Sequence, residues 1–278
     1  MRLGSPALGA ILGALSWAVL SAPAAAQTPL PLANWQYSAG EVLESLAGPL
    51  PDWRVTIGGG VLGQPSFEGS KRYIPEPSVI IDVRYRDLLF ASDGEGVGAN
   101  LLHGPGYRAG IAMSYDAGRD HHDDHHLRGL DNIDPAPEPK LFAQYFVKPV
   151  VLTLDLRKAI GGHDGIIGDV GAYVPVPVVK DKLILFVGPT LTMADGQYMQ
   201  SYFGVTAAES AASGLRRFDA GGGLKSTGFG ATGVYLLDKH WLIEGDAAYE
   251  RLLADAAASP IIETKNQLVA DINLGYRF

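Results

Sequence analysis

The sequence predicts an all-β fold, an antiparallel transmembrane β-barrel of about twelve strands with long outer loops and short inner turns. Three observations predict it. Apolar residues recur at every second position over segments of about ten residues, matching the ~9–11 residues that a tilted strand needs to cross a bilayer. Aromatic residues gather near the ends of the apolar faces, where interfacial girdles belong. After the first 26 residues the longest uncharged run is Gln27–Gly40, fourteen residues with two prolines, too short for a membrane helix of roughly 20 residues.

Composition agrees. The 278 residues include 35 glycines and no cysteine. Glycine permits the tight bends of a closed barrel. The absence of cysteine excludes a disulfide framework, a zinc ribbon and a thiol nucleophile. A net charge of −8 argues against nucleic acid as a partner, because such proteins carry a basic stripe.

Residues 1–26 read as a cleaved secretory signal. Met1-Arg2 is basic, Leu3–Leu20 is uncharged and apolar, and Ala24-Ala25-Ala26 supplies the small-residue cleavage site. Residues 27–52 form a separate N-terminal segment on the inner, periplasmic side. Ser38 and Glu41 have capping-box spacing before Val42, Leu43 and Leu46, so a short helix is one reading and an untethered tail the other.

The barrel occupies 53–278. Its strands are expected at 53–62, 77–86, 88–92, 97–102, 107–116, 140–148, 150–158, 166–175, 182–193, 223–237, 240–250 and 267–278. The third and fourth are the weakest, which makes ten strands the alternative count. Tyr107, Ala109, Ile111, Met113 and Tyr115 alternate with Arg108, Gly110, Ala112, Ser114 and Asp116. Trp241, Ile243, Gly245, Ala247 and Tyr249 do the same against Leu242, Glu244, Asp246, Ala248 and Glu250. The final segment sets Leu268, Ala270, Ile272, Leu274, Tyr276 and Phe278 on one face. That amphipathic strand, ending on an aromatic residue, is similar to the sorting signal read by the barrel-assembly machinery of bacterial outer membranes. With both ends periplasmic, the long connections 63–76, 93–96, 117–139, 159–165, 194–222 and 251–266 fall outside. Long outer loops and short inner turns are the usual asymmetry.

The inward faces carry Arg54, Asp82, Arg84, Arg108, Gln144, Asp155, Arg157, Lys182, Lys225, Glu244, Asp246 and Asp271. A lumen closed by paired charges is favoured over a selective pore, because side chains fill much of a narrow barrel.

Chemistry-bearing motifs are few. Gly58–Gly63 matches G-x-G-x-x-G, but Gln64-Pro65-Ser66-Phe67 starts no helix to face a pyrophosphate. No G-x-S-x-G elbow occurs. The sequence therefore names no catalytic residue and no cofactor. It assigns no metal site either. His121, His122, Asp123, Asp124, His125 and His126 are the one local cluster with metal-ligand chemistry, and they read as a solvated outer loop with weak metal affinity. In Gly161-Gly162-His163-Asp164-Gly165 the histidine reads as part of a turn.

Several stretches together resemble the MipA/OmpV family of Gram-negative outer membranes. They are Ser66–Ser70 with Tyr73 and Pro77, Gly98–Leu102, Gly118-Arg119-Asp120, Leu127–Leu130, Gly161–Gly165, Tyr198–Thr206, Ser210–Leu215, Phe218–Gly223, Leu252–Asp255 and Tyr276–Phe278. The chain departs from the family at Leu130-Asp131-Asn132-Ile133-Asp134, and the His121–His126 cluster lies outside the family pattern. The resemblance implies an outer-membrane barrel in contact with lipid, without catalytic residues. It also implies a scaffold joining a murein lytic transglycosylase to a murein-synthesising penicillin-binding protein. A small pore, or a surface adhesin or metal-binding barrel, is the alternative.

Overall fold

The computed structural model describes residues 51–180 and 182–278. The signal at 1–26 and the capping box at Ser38–Glu41 lie outside the described residues.

Twelve antiparallel strands close into one barrel in chain order. They are β1 (Trp53–Pro65), β2 (Tyr73–Tyr85), β3 (Leu89–Ser92), β4 (Gly96–Gly104), β5 (Tyr107–Asp116), β6 (Ala136–Val147), β7 (Val150–Lys158), β8 (Ile166–Val179), β9 (Leu183–Ala194), β10 (Gly223–Leu236), β11 (Trp241–Leu252) and β12 (Asn266–Arg277). The weak third and fourth strands both exist, so the count is twelve.

Closure is made by β1 against β12, with Ile57 opposite Tyr276 and Gly60 opposite Asn273. A Cβ on Gly58 would stand 2.8 Å from the Cα of Gly275, so the seam depends on glycine's lack of a side chain.

The period-two pattern sorts the side chains as expected. Ile57, Val61, Val79, Ile111, Leu154, Leu268 and Ile272 are exposed on the outer wall, where lipid covers them. Arg84, Arg108, Lys140, Asp155, Arg157 and Asp169 are buried inside. Trp53 packs on Tyr85 with ring centroids 4.7 Å apart, and Trp241 on Tyr276 at 5.0 Å. These rings form the inner girdle, and Tyr115 and Tyr249, each eight residues along its strand from Tyr107 or Trp241, mark the outer one.

Three differences from the sequence reading have physical reasons. Strands β1, β2, β6 and β8 run further than expected, each taking in a proline beyond its expected end. Pro75 and Pro77 lie on β2 beyond its pairing with β3, which stops at Asp82 opposite Ser92. Ile81 turns its backbone toward that side, donating to Asp93 Oδ1 and accepting from the Asp93 N–H. Residues of the same parity, Pro75 and Pro77, face the same open edge, where a missing N–H leaves no donor unpaired. Lys182, expected inward, is exposed in the turn between β8 and β9, because β9 begins one residue later than the reading placed it.

Many of the other inward charges are paired, whereas Asp246 stands opposite Asp271 across β11 and β12, with Thr232 donating to the first and Asn273 to the second. Arg84 bonds Asp82 at 2.9 Å and Glu95 at 2.6 Å. Arg108 bonds Glu95 and, at 2.7 Å, Gln144. Arg157 holds Asp169 at 2.6 Å, and Thr192 donates to the same carboxylate at 2.5 Å. Lys140 lies 3.9 Å from Asp155. Lys225 bridges Glu250 and Glu68. Glu95 was unforeseen, because the β3–β4 turn folds it into the lumen rather than out to solvent.

Candidate functional site: the sealed outer mouth

The outer loops fold over the barrel mouth and carry short helices of their own. These are α1 (Gly196–Phe203) and α2 (Ala207–Ser213) between β9 and β10, and α3 (Ala254–Ala258) between β11 and β12. Asp195 caps α1 by accepting the Tyr198 N–H at 2.9 Å. Tyr198, Met199, Tyr202 and Phe203 then recur on one helical face, and all four are buried. They pack with Ile133, Ile167, Leu252 and Ala256 into one apolar cluster. A second cluster joins Phe67, Leu127, Leu130, Val205 and Ile261 from four separate loops. The α2 helix carries a complete capping box between Thr206 and Glu209. Glu209 also accepts the Asp131 N–H at 3.0 Å, and the several N–H bonds hold its carboxyl below the usual range despite burial.

Beneath the cap lies a polar node. Gly161 (φ 86°) and Gly162 (φ 58°) take left-handed backbone conformations, which glycine adopts without strain. The loop they form drives His163 inward until it is fully buried. The His163 ring meets Tyr198 edge-on at 4.9 Å and Tyr202 at 5.5 Å. Its Nδ1 accepts the Gly165 N–H at 3.0 Å, so the ring proton belongs on Nε2. Nε2 faces Glu138 Oε1 at 3.4 Å and Asp116 Oδ2 at 3.7 Å. Tyr202 donates to Asp116 at 2.5 Å, and Arg119 donates to the Tyr202 carbonyl at 2.7 Å. Strands β5 and β6, the β7–β8 loop and α1 thus meet at one point. The turn reading of the Gly161–Gly165 motif is incomplete, since its histidine faces carboxylates of two distant strands rather than the adjacent Asp164.

His163, Asp116 and Glu138 bring ligand atoms within 4.8 Å of one another. A metal on Nε2 would require a bare Nε2 and a protonated Nδ1, yet Nδ1 is an acceptor here. The tautomer therefore suits a structural knot rather than a metal centre.

The His121–His126 tract divides by role. Asp124 is buried and accepts from Ser66 at 2.7 Å and from Arg72 at 2.9 Å. Burial pushes its carboxyl up, but the His126 N–H, Ser66 and Arg72 outweigh that and hold it at about 2. His125 Nδ1 sits 2.9 Å from Asp124, and His126 stacks on Phe67 at 6.1 Å. His121 and His122 stay at the surface, stacked together 4.0 Å apart. Asp123 closes a turn, its carboxylate accepting the Asp120 N–H at 3.2 Å.

The family model for the MltA-interacting protein MipA matches residues 57–278, the whole barrel apart from the first four residues of β1.

The chain belongs to the MipA family.

It is also similar to outer membrane protein OmpV of Vibrio cholerae serotype O1, with 34% identity over 96 residues, 34% of this chain and 36% of that protein. Among solved structures it is similar to the NanC porin, at 10% identity and a TM-score of 0.43, covering 81% of this chain and 98% of that one. The translocator domain of the autotransporter NalP from Neisseria meningitidis is similar at 11% identity and a TM-score of 0.40, covering 86% and 95%. At those scores neither adds to what strand pairing already establishes. This MipA-family chain is an outer-membrane barrel of a Gram-negative bacterium. The family stretch Tyr198–Thr206 coincides with α1 and the start of α2, and the Gly161–Gly165 stretch with the loop that buries His163.

Proposed function

We propose that this MipA-family protein is a non-enzymatic, non-conducting anchor whose periplasmic rim holds cell-wall enzymes together. Its partners are a murein lytic transglycosylase of the MltA kind and a murein-synthesising penicillin-binding protein. The observation that carries this reading is an exposed, basic inner rim on a barrel whose outer loops pack apolar clusters over its mouth.

Arg86, Lys148, Lys180, Lys182, Lys239 and Arg277 are exposed at the inner turns and inner strand ends, with Asp52 and Asp238 as exposed acids among the described residues. The chain as a whole is acidic at −8, so this rim is a local reversal of sign. Complementary charge steers association and sets orientation, and peptidoglycan carboxylates or an acidic enzyme face would match it. The absence of catalysis is supported by the burial of His163 and by its contacts, which are carboxylates and aromatic rings rather than an activated hydroxyl.

The test is capture from cross-linked envelopes with the intact protein and with a triple variant, Lys148→Glu, Lys182→Glu and Lys239→Glu. Recovery of a lytic transglycosylase and a penicillin-binding protein by the intact barrel, reduced several-fold by the triple variant, is expected. Recovery of only the assembly machinery and abundant porins would contradict the proposal.

A further inference from the structure

Two adjacent imidazoles on the β5–β6 loop have their protonation pattern set by their neighbours. His121 Nδ1 lies 2.6 Å from Asn132 Oδ1, which also accepts the His121 backbone N–H at 2.8 Å. His122 Nδ1 lies 2.7 Å from Asp120 Oδ1, which accepts the His122 backbone N–H at 2.8 Å. An amide or carboxylate oxygen only accepts, so each Nδ1 carries the ring proton and each Nε2 keeps its lone pair. The rings stack 4.0 Å apart with 34° between their planes. Asp120 Oδ1 lies 2.7 Å from His122 Nδ1 and 4.0 Å from His121 Nδ1, so this carboxylate braces the Nδ1 side of the pair. The His122 side chain is 77% exposed and that of His121 35%, so an ion reaches them without any opening of the fold.

This is how metal-ligating histidines are usually braced. One ring nitrogen coordinates while the other N–H is held by a carboxylate or carbonyl oxygen, which fixes the ring and raises its basicity. Elsewhere in the tract, Asp124 is bonded to Ser66 and Arg72, His126 stacks on Phe67, and exposed His125 has its Nδ1 2.9 Å from Asp124.

We propose that His121 and His122, braced by Asn132 and Asp120, form a site on the cell's outer face for a divalent first-row transition-metal ion such as Cu²⁺ or Zn²⁺. Imidazole donors select these ions over Ca²⁺ and Mg²⁺, which take all-oxygen cages. Solvent completes the coordination. The site is independent of the periplasmic rim, so either can fail without the other.

The experiment titrates Cu²⁺, and separately Zn²⁺, into the untagged full chain in detergent micelles, following heat and the copper paramagnetic spectrum. One saturable site with hyperfine splitting from two nitrogens is expected, unaffected by millimolar Ca²⁺. His121→Ala and His122→Ala should each weaken binding at least tenfold. Asn132→Ala, which removes no ligand, should weaken it by roughly 10- to 100-fold. His125→Ala and His240→Ala should leave it unchanged. Heat-modifiable migration on gels establishes that each variant is folded. Absence of saturable binding, unchanged affinity in Asn132→Ala, or a loss in His125→Ala equal to that in His121→Ala would overturn the proposal.

Discussion

Tyr202 donates its hydroxyl to Asp116 at 2.5 Å across 86 residues of chain, joining a helix of the cap to the outer end of a wall strand. Asp116 also accepts the Gly118 N–H at 2.7 Å and lies beside His163. Cap and wall therefore share a single buried carboxylate. Tyr202→Phe removes one hydrogen bond to that buried charge, a loss of about 1.5–3 kcal/mol. We expect faster amide exchange in 196–213 and a lower unfolding temperature on gels, with the strands still protected. Unchanged exchange in the cap would contradict this.

Asp124 makes cap stability depend on acid. Its carboxyl ionises at about 2 in the folded protein against an ordinary value of 3.8. A depressed folded value means that the contribution is fully present above pH 3.8 and lost as pH falls through about 2. Exchange protection around 120–128 should therefore be flat from pH 7 to about 4 and fall below that. Asp124→Asn should remove most of that dependence and lower stability at neutral pH by about 1–3 kcal/mol.

Ile272 stands on the outer wall opposite Val61 and Gly245, midway along β12. An arginine there faces lipid, at about 2–4 kcal/mol near the bilayer centre. Urea titration of Ile272→Arg folding into vesicles should show that loss. Asn266→Arg, at the outer end of the same strand, should cost about 0–1 kcal/mol. Equal losses at both positions would contradict the assigned depth.

The cap over the outer mouth and the ion pairs of Arg84, Arg108 and Arg157 inside predict that the intact barrel shows no steady conductance in a planar bilayer. A steady, ion-selective current that changes when Arg84 or Arg108 is reversed would favour the pore reading instead.

Strands with unbroken alternation were legible to the residue: β5 and β7 end where the pattern ends, because wall position alone decides those side chains. The cap was not legible. Phe67, Leu130, Val205 and Ile261 lie in loops without periodicity, and they meet only because the barrel brings its outer loops together. Glu138 fell within the expected loop 117–139 rather than on β6, and with it went half of His163's environment. Lumen pairs fared better, since inward parity is visible even when the partner is not. At the surface cluster the histidines were visible, but Asn132, eleven residues from His121, gave no local signal.

The central claim is that partners dock on the periplasmic rim of a sealed barrel. Its most direct test places a photo-cross-linking residue at Lys239 in an inner turn, or at Arg128 in an outer loop, and irradiates living cells. Covalent capture of a murein lytic transglycosylase or penicillin-binding protein from position 239 and not from position 128 is the predicted result. Capture from 128 alone, or from neither with the barrel fully assembled, would contradict the account.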